Sequence, residues 1–559
     1  MRPLLSLLCL ACFLPAAFAA NPGGRFDVRD FGAAGDGTAL DTAAVNRAID
    51  AAAAAGGGIV EFPAGEYLCH SIRLRSRVTL HLGPGATIIA ADPPARPGEP
   101  GYDEPEPNAS VQFQDFGHSH WRNSLIWGIG LEDVAITGPG RIYGRGLSRG
   151  NGRIARPVGD PPPPADAAGE PPDVLLADGP FDYAPRPDLV PGPFNYPNAR
   201  DTLPAGVGNK AIALRDCRNV TLRDFSVLHG GHFAILATGV DNLTIDHLVI
   251  DTNRDGMDID ACSNVRISNC AVNSPWDDAI CLKSSHGLGV ARVCENVAIV
   301  NCFVSGFDEG TLLDGTRRTT WRTRGGPHGR IKLGTEAGGG FRNIAISNCL
   351  FEHCRGLALE QVDGGVMEDI TVSNLAMRDV LNAPIFIRLG ARLRAPGAAK
   401  PGTARRILID NVVAHGISAD HGVLIAGLPG HPVEDVVLSN LQFHFLGGGT
   451  EAQAAREVPE LEKAYPEPYL FGKLPAWGIF ARHTRNLQVR GVELRTLSAD
   501  ARPAVHLEDA ADVRFNDVVL RNEGGAAHWR MRAVTNGRAR DTTGLADGPL
   551  PDVTPRTAR

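Results

Sequence analysis

The feature of this 559-residue chain that most limits its fold is a short unit repeated through the second half. Asn219-Val220-Thr221-Leu222, Asn242-Leu243-Thr244-Ile245, Asn264-Val265-Arg266-Ile267, Asn296-Val297-Ala298-Ile299 and Asn343-Ile344-Ala345-Ile346 open similar segments, and looser copies begin at Asp369, Arg406, Asp435, Asn486 and Asp512. The closest starts are 23 and 22 residues apart, and each unit reads as an alternating strand, a polar turn and a second strand. Alternation buries one face only. A unit this short cannot enclose a core alone, so the units must stack. A β-propeller blade needs about twice the length, and the Leu-x-x-Leu-x-Leu spacing of leucine-rich repeats is missing. The expected fold is therefore all-β: a right-handed parallel β-helix solenoid.

Such a stack needs its first coil covered, because an open coil exposes both core and backbone. Asp41-Thr42 followed by Ala43 to Ala55, with Val45, Ala48 and Ile49 on one face and Gly56-Gly57-Gly58 at the end, predicts a capping helix at the N-terminal side. The domain is expected to run from 24 to 535 as one β-helix. A Pro- and Gly-rich insertion at about 145–208 and an aperiodic tail over 536–559 stand outside the repeat. Residues 1–20 have the form of an export signal: Arg2, an apolar run from Leu4 to Phe13, and Ala17-Phe18-Ala19 before Asn21. No later apolar run reaches the length of a membrane span, so a secreted or periplasmic protein is expected. Of eleven cysteines, Cys9 and Cys12 leave with that signal. The nine that remain are an odd number, and Cys270, Cys302 and Cys349 recur in similar settings, as buried small hydrophobes stacked in a core would. Net charge is −8 with the signs interspersed, which offers no basic stripe for nucleic acid or an anionic membrane.

Chemistry concentrates where two adjacent units carry carboxylates: Asn253-Arg254-Asp255-Gly256-Met257-Asp258, then Trp276-Asp277-Asp278-Ala279-Ile280. Asp255 and Asp277 are 22 residues apart, the length of the tightest repeat, so they should sit one coil, about 5 Å, apart on one face. Crowded carboxylates repel, which raises the pKa of at least one and leaves a protonated acid beside ionised bases. Glycoside hydrolysis uses such a pair. Turn chemistry and a calcium site are the competing readings of the same aspartates.

The opening Phe26-Asp27-Val28-Arg29-Asp30-Phe31-Gly32-Ala33-Ala34-Gly35-Asp36-Gly37, with Gly57-Gly58-Ile59-Val60-Glu61-Phe62-Pro63-Ala64-Gly65-Glu66-Tyr67, resembles pectin-degrading β-helix proteins. Asn253 to Asp258 and Asp277 to Ser284 resemble the polygalacturonase family of glycoside hydrolases, family 28. The resemblance implies an inverting hydrolysis of pectic polysaccharide or oligosaccharide, of galacturonic acid or rhamnogalacturonan type, without cofactor or metal. Asp277 would be the general acid, and Asp278 with Asp255 would activate water. Asn253 and Lys283 would flank the substrate. Two departures stand out. Counted back from Gly334-Thr335-Glu336, the family's His falls on Gly329, with His328 one residue away, a gap that a bulge closes; His286 is a weaker substitute. The family's Arg-Ile-Lys, which grips a uronate carboxylate, is replaced after Arg355-Gly356-Leu357 by Ala358-Leu359-Glu360, and Arg330-Ile331-Lys332 one coil earlier is the candidate to take over. Glu360 is expected to line the cleft. The loop after Asn301, with Phe307 to Gly310, Arg317, Arg318, Trp321 and Arg322, and the insertion near 145–208 would wall off one end and favour exo attack. The alternatives are a non-catalytic carbohydrate-binding β-helix and a calcium-using polysaccharide lyase.

Overall fold

The computed structural model describes residues 24–148, 205–320 and 326–551, apart from positions 95, 97 and 115. The segment read as an export signal, most of the Pro-rich insertion, and Trp321 with Arg322 lie outside these residues. Among the described residues, thirty-seven strands join into one hydrogen-bonded sheet. The repeating Asn residues explain why. Asn219, Asn242, Asn264, Asn296 and Asn343 all adopt the left-handed conformation, with φ between 53° and 59°, which Asn tolerates better than most residues. Each starts a coil at the same turn, and their amides chain along the stack: Asn242 Nδ2 donates to Asn219 Oδ1 at 3.0 Å, and Asn343 Nδ2 to Asn296 Oδ1 at 2.8 Å.

Directly after each of these left-handed residues an apolar side chain enters the core. Val220, Leu243, Val265, Val297, Ile344, Ile370, Ile407, Val436 and Leu487 pair in parallel register, one per coil, and form a continuous buried row. Each is worth roughly 1.5–3 kcal/mol of burial, and none could be buried without the coil beside it. All nine described cysteines are buried free thiols, in keeping with the stacked-hydrophobe reading.

A helix spans Thr42–Ala54 and buries Ala44, Val45, Ala48, Ile49 and Ala52 against the strands Gly24–Asp27 and Gly58–Phe62. Asp41 does not cap it through its side chain. Its carboxylate instead accepts the amides of Ala34 and Gly35 at 2.7 and 3.0 Å, which ties the preceding loop to the helix start. The aperiodic tail is corrected in part. Strand Arg538–Thr542 pairs in parallel with Arg514–Arg521, and Gly548–Pro549 closes against it antiparallel. Only Ala539 and Thr542 point inward there, so the coil carries too faint an apolar signal to be read from sequence.

Candidate active site

Strand Asp255–Asp260 lies in register between Phe233–Thr238 and Ile280–Ser284, with Met257 opposite Ile280. Gly256 N donates to Asp278 O at 3.0 Å, so the two aspartate-bearing segments are neighbours in consecutive coils, as their spacing requires. A Cβ on Gly256 would come within 2.4 Å of Ala279 O; only glycine lets the coils approach this closely beside Asp255.

The adjacent aspartates have opposite settings. Asp278 is buried and receives Arg330 Nε at 2.7 Å and Lys332 Nζ at 3.1 Å. Burial alone would raise its pKa, but Arg330 and Lys332 prevail and hold it far below the usual carboxylate range. Asp277 is the more open of the two, its side chain 22% exposed against 2% for Asp278. Arg254 Nη2 donates to its Oδ2 at 2.8 Å, and His328 Nδ1 lies 3.9 Å from its Oδ1. Burial, then the nearby Arg355 guanidinium, depresses His328 to about 3, so its imidazole is neutral at ordinary pH. His328 N bonds to Pro275 O at 3.0 Å; this backbone link brings the ring to the aspartates despite its one-residue offset. Burial and the charges of Asp258 and Asp277 raise Asp255 well above an ordinary aspartate. Asp255 and Asp278, expected to activate water together, are therefore not equivalent: burial favours the protonated form of Asp255, while Arg330 and Lys332 keep Asp278 ionised.

Asp258 is fully buried, and burial raises its pKa most, with Lys283 opposing. Lys283 Nζ stands 3.7 Å from Asp258 and 3.2 Å from Glu336, and His118 Nε2 stands 3.6 Å from Asp258. Asn253 is buried, its backbone carbonyl accepting Trp276 N at 2.9 Å. His286 packs on Phe113 rather than on the aspartates, and Ser285 next to it holds Asp260 by its N–H and hydroxyl at 2.7 and 2.5 Å. In the loop after Asn301, Glu309 pairs with His229 and Arg317 packs on Phe303 and Phe307.

The expectation that Arg330 and Lys332 present free cations to a substrate is corrected. Both reach the site, but each is 1% exposed and faces protein carboxylates. Glu360 lies 3.8 Å from Arg330 and 3.5 Å from Lys332, and Glu467 lies 2.5 Å from Arg330. Burial pushes Glu360 up to about 7 against the pull of both cations. The sequence reading gave no role to Arg254 and did not single out His118, Tyr465 or Glu467. His118 and Glu467 arrive from irregular segments far along the chain, and no periodic signal marks them; Arg254 lay inside the quoted motif.

Ligand atoms of Asp277, Asp278 and His328 lie within 4.8 Å of one another, a spacing a divalent cation could bridge.

The family model described as "Right handed beta helix region" matches residues 205–321, and "Rhamnogalacturonase A/epimerase, pectate lyase-like" matches residues 25–92. An exo-poly-alpha-D-galacturonosidase of Dickeya chrysanthemi is 26% identical over 381 residues, covering 65% of this chain and 56% of that protein; the chain thus spans less than two thirds of that relative. The family 28 exopolygalacturonase of Yersinia enterocolitica superposes with a TM-score of 0.57 at 20% identity, over 94% of this chain and 79% of that one. An exopolygalacturonase of Thermotoga maritima gives 0.52 at 21% identity, over 76% and 88%.

Proposed function

We propose that this polygalacturonase-like right-handed β-helix protein is a glycoside hydrolase that cleaves pectic polysaccharide or oligosaccharide with inversion. The observation that carries the reading is the split between neighbouring carboxyls: Asp278 held ionised by Arg330 and Lys332, Asp255 held protonated by burial. Environments that push paired carboxyls apart assign the acid and the base. Asp277, the more exposed member, passes the proton held by its neighbour Asp255 to the leaving oxygen. Asp278 takes a proton from water as it attacks the anomeric carbon from the other face. One proton leaves the site and one enters, so water is the only reactant consumed. Neutral His328 and Arg254 orient Asp277.

Exo action is supported by cover on both sides of these coils. Before them, Trp121 Nε1 donates to Thr238 Oγ1 at 3.1 Å and His118 packs on Phe233. After them, Glu467 and Tyr465 lie over Arg330 and Lys332. On the sequence features of residues 1–20 the protein acts outside the cytoplasm, and on its packing the helix Thr42–Ala54 serves as the N-terminal cap. Cell fractionation tests the first. The test of function is release of reducing ends from a pectic panel by the protein beside Asp277→Asn, which should be silent. The metal-compatible spacing of Asp277, Asp278 and His328 favours one other reading, a cation-dependent lyase; ultraviolet-absorbing unsaturated products lost on chelation would select it.

A further inference from the structure

A second face of the solenoid carries a pattern that the aspartate site does not use. Leu350–Cys354 pairs with the later half of Val366–Val380, and Thr403–Ile417, Val433–Phe445, Ile479–Thr496 and Arg514–Arg521 continue that row of strands. Asp255–Asp260 and Ile280–Ser284 belong to a different row. Inward positions here are apolar: Met377, Ala414, Phe443, Leu494 and Leu520 are buried. The residue after each of them points outward, and these five stand in register, Arg378 opposite His415, then His444, Arg495 and Arg521. His444 is partly exposed and the other four are fully so. Five consecutive coils thus set a nitrogen-bearing side chain at one position, about 5 Å apart. Along the chain these residues are 26 to 51 positions apart, so no stretch of sequence displays the stripe; register assembles it.

The middle of the stripe is uncommitted. Among the described residues no carboxylate lies in ion-pair range of Arg378, His415 or His444, and the two imidazole rings stand 5.6 Å apart. Arg495 and Arg521 each meet one carboxylate, Glu523 at 3.7 Å and Glu493 at 2.9 Å, exposed pairs of the kind that contribute little and open for a better ligand. Alongside runs an apolar row in the same register, Leu350, Ala376 and Val413, with Leu350 51% and Val413 50% exposed. Contiguous exposed apolar side chains beside unpaired polar ones mark a surface that takes a partner.

Charge and width select that partner. A second copy of this chain is disfavoured, because a two-fold axis through the face would lay the stripe against itself, cation on cation. A duplex nucleic acid or an anionic membrane is broad enough to cover Glu352, Asp379, Glu493 and Glu523 as well, and a net charge of −8 opposes both. A single polysaccharide strand is narrow. Carboxylates on its sugars recur along one line on the scale of the coil repeat, where guanidinium and imidazole N–H groups donate to them. The C–H faces of the same sugars pack on Leu350, Ala376 and Val413.

We propose that Arg378, His415 and His444, continued by Arg495 and Arg521, form a second, non-catalytic binding surface for a polyuronate chain. A long chain held both there and in the cleft leaves the protein less readily than a short one, because each contact raises the local concentration of chain at the other. Binding at this face needs no turnover, so it stands apart from the glycosidase reading.

The test reads binding and turnover separately. Calorimetry gives Kd for soluble polygalacturonate with Asp277→Asn, and with Asp277→Asn that also carries Arg378→Gln, His415→Gln and His444→Gln. The three changes lie outside the core, and equal melting temperatures verify that the fold tolerates them. They should weaken binding by about tenfold at low salt, and salt at about 0.5 M should erase the difference. With Asp277 intact, the same three changes should raise KM on the long polymer about threefold or more while leaving kcat/KM on a trimer, too short to reach both sites, unchanged. Equal binding of polygalacturonate with and without the three changes overturns the inference. Duplex DNA or anionic vesicles that bind the unaltered stripe more tightly than polygalacturonate would overturn it too, as would a dimer that the three changes dissociate. Weakened binding in a protein that turns over no pectic substrate keeps the surface and removes the glycosidase reading alone.

Discussion

Lys332 Nζ stands 3.1 Å from Asp278 Oδ2, and the residue paired with Lys332 in the next coil is Ala358. The cation missing at Ala358 is thus present one coil earlier, where it serves the aspartate pair. Lys332→Met should weaken the hold on Asp278 and raise its pKa. A base must be ionised to act, so the acid limb of kcat/KM against pH should move upward by about one unit. Lys332→Arg should leave it in place. A pH–rate profile of the three proteins reads this directly.

His328 is held neutral, its pKa depressed to about 3 by burial and Arg355, so it does not titrate in the working range. His328→Asn should lower kcat by about ten- to a hundredfold through loss of orientation at Asp277, with the profile above about pH 5 keeping its shape. The unfolded chain binds a proton at this position more readily than the native one. Stability tied to it therefore rises with pH between about 3 and 6.5, and acid unfolding of His328→Asn should begin at lower pH.

Asp260 tests the fold beside the site. Burial raises it from 3.8 to about 6, against the two bonds from Ser285. The native state holds this proton more tightly than the unfolded chain, so its contribution is complete below about pH 4 and falls as pH rises to about 6, by about 3 kcal/mol. Asp260→Asn cannot lose that proton. Its melting temperature should fall less steeply than that of the unaltered protein across this window, as calorimetry at several pH values would register.

Cover on both sides of the catalytic coils predicts short products from chain ends. Digestion of a long pectic chain should release mono- or disaccharide from the start, with the viscosity falling slowly. A ladder of internal fragments at early times would contradict the closed cleft. Chelation should leave the rate unchanged; a loss restored by a divalent cation would shift Asp277, Asp278 and His328 to a metal-binding role.

What the sequence disclosed and what it hid divide along physical lines. Asn219 and its counterparts were legible because a left-handed turn repeated at one place in every coil selects the same residue type. The proximity of Asp255 to the Asp277-Asp278 pair was legible because their spacing equals one coil. His118 and Glu467 were not, since residues 92–125 and 446–478 are placed by tertiary contact and carry no period. The fate of Arg330 and Lys332 followed from that omission: without Glu467 in view, two buried and matched cations read as free ones. Strand Arg538–Thr542 was missed for a third reason, a coil whose inward positions are too small and polar to show.

The measurement that bears most directly on the whole account is proton NMR of the reaction as it proceeds, on the pectic oligosaccharide cleaved fastest in the panel, with Asp277→Asn alongside. The account predicts a newly released anomeric proton of inverted configuration, no olefinic signal, and no reaction in the variant. An olefinic product, a retained anomer, or an unchanged rate in Asp277→Asn would contradict it.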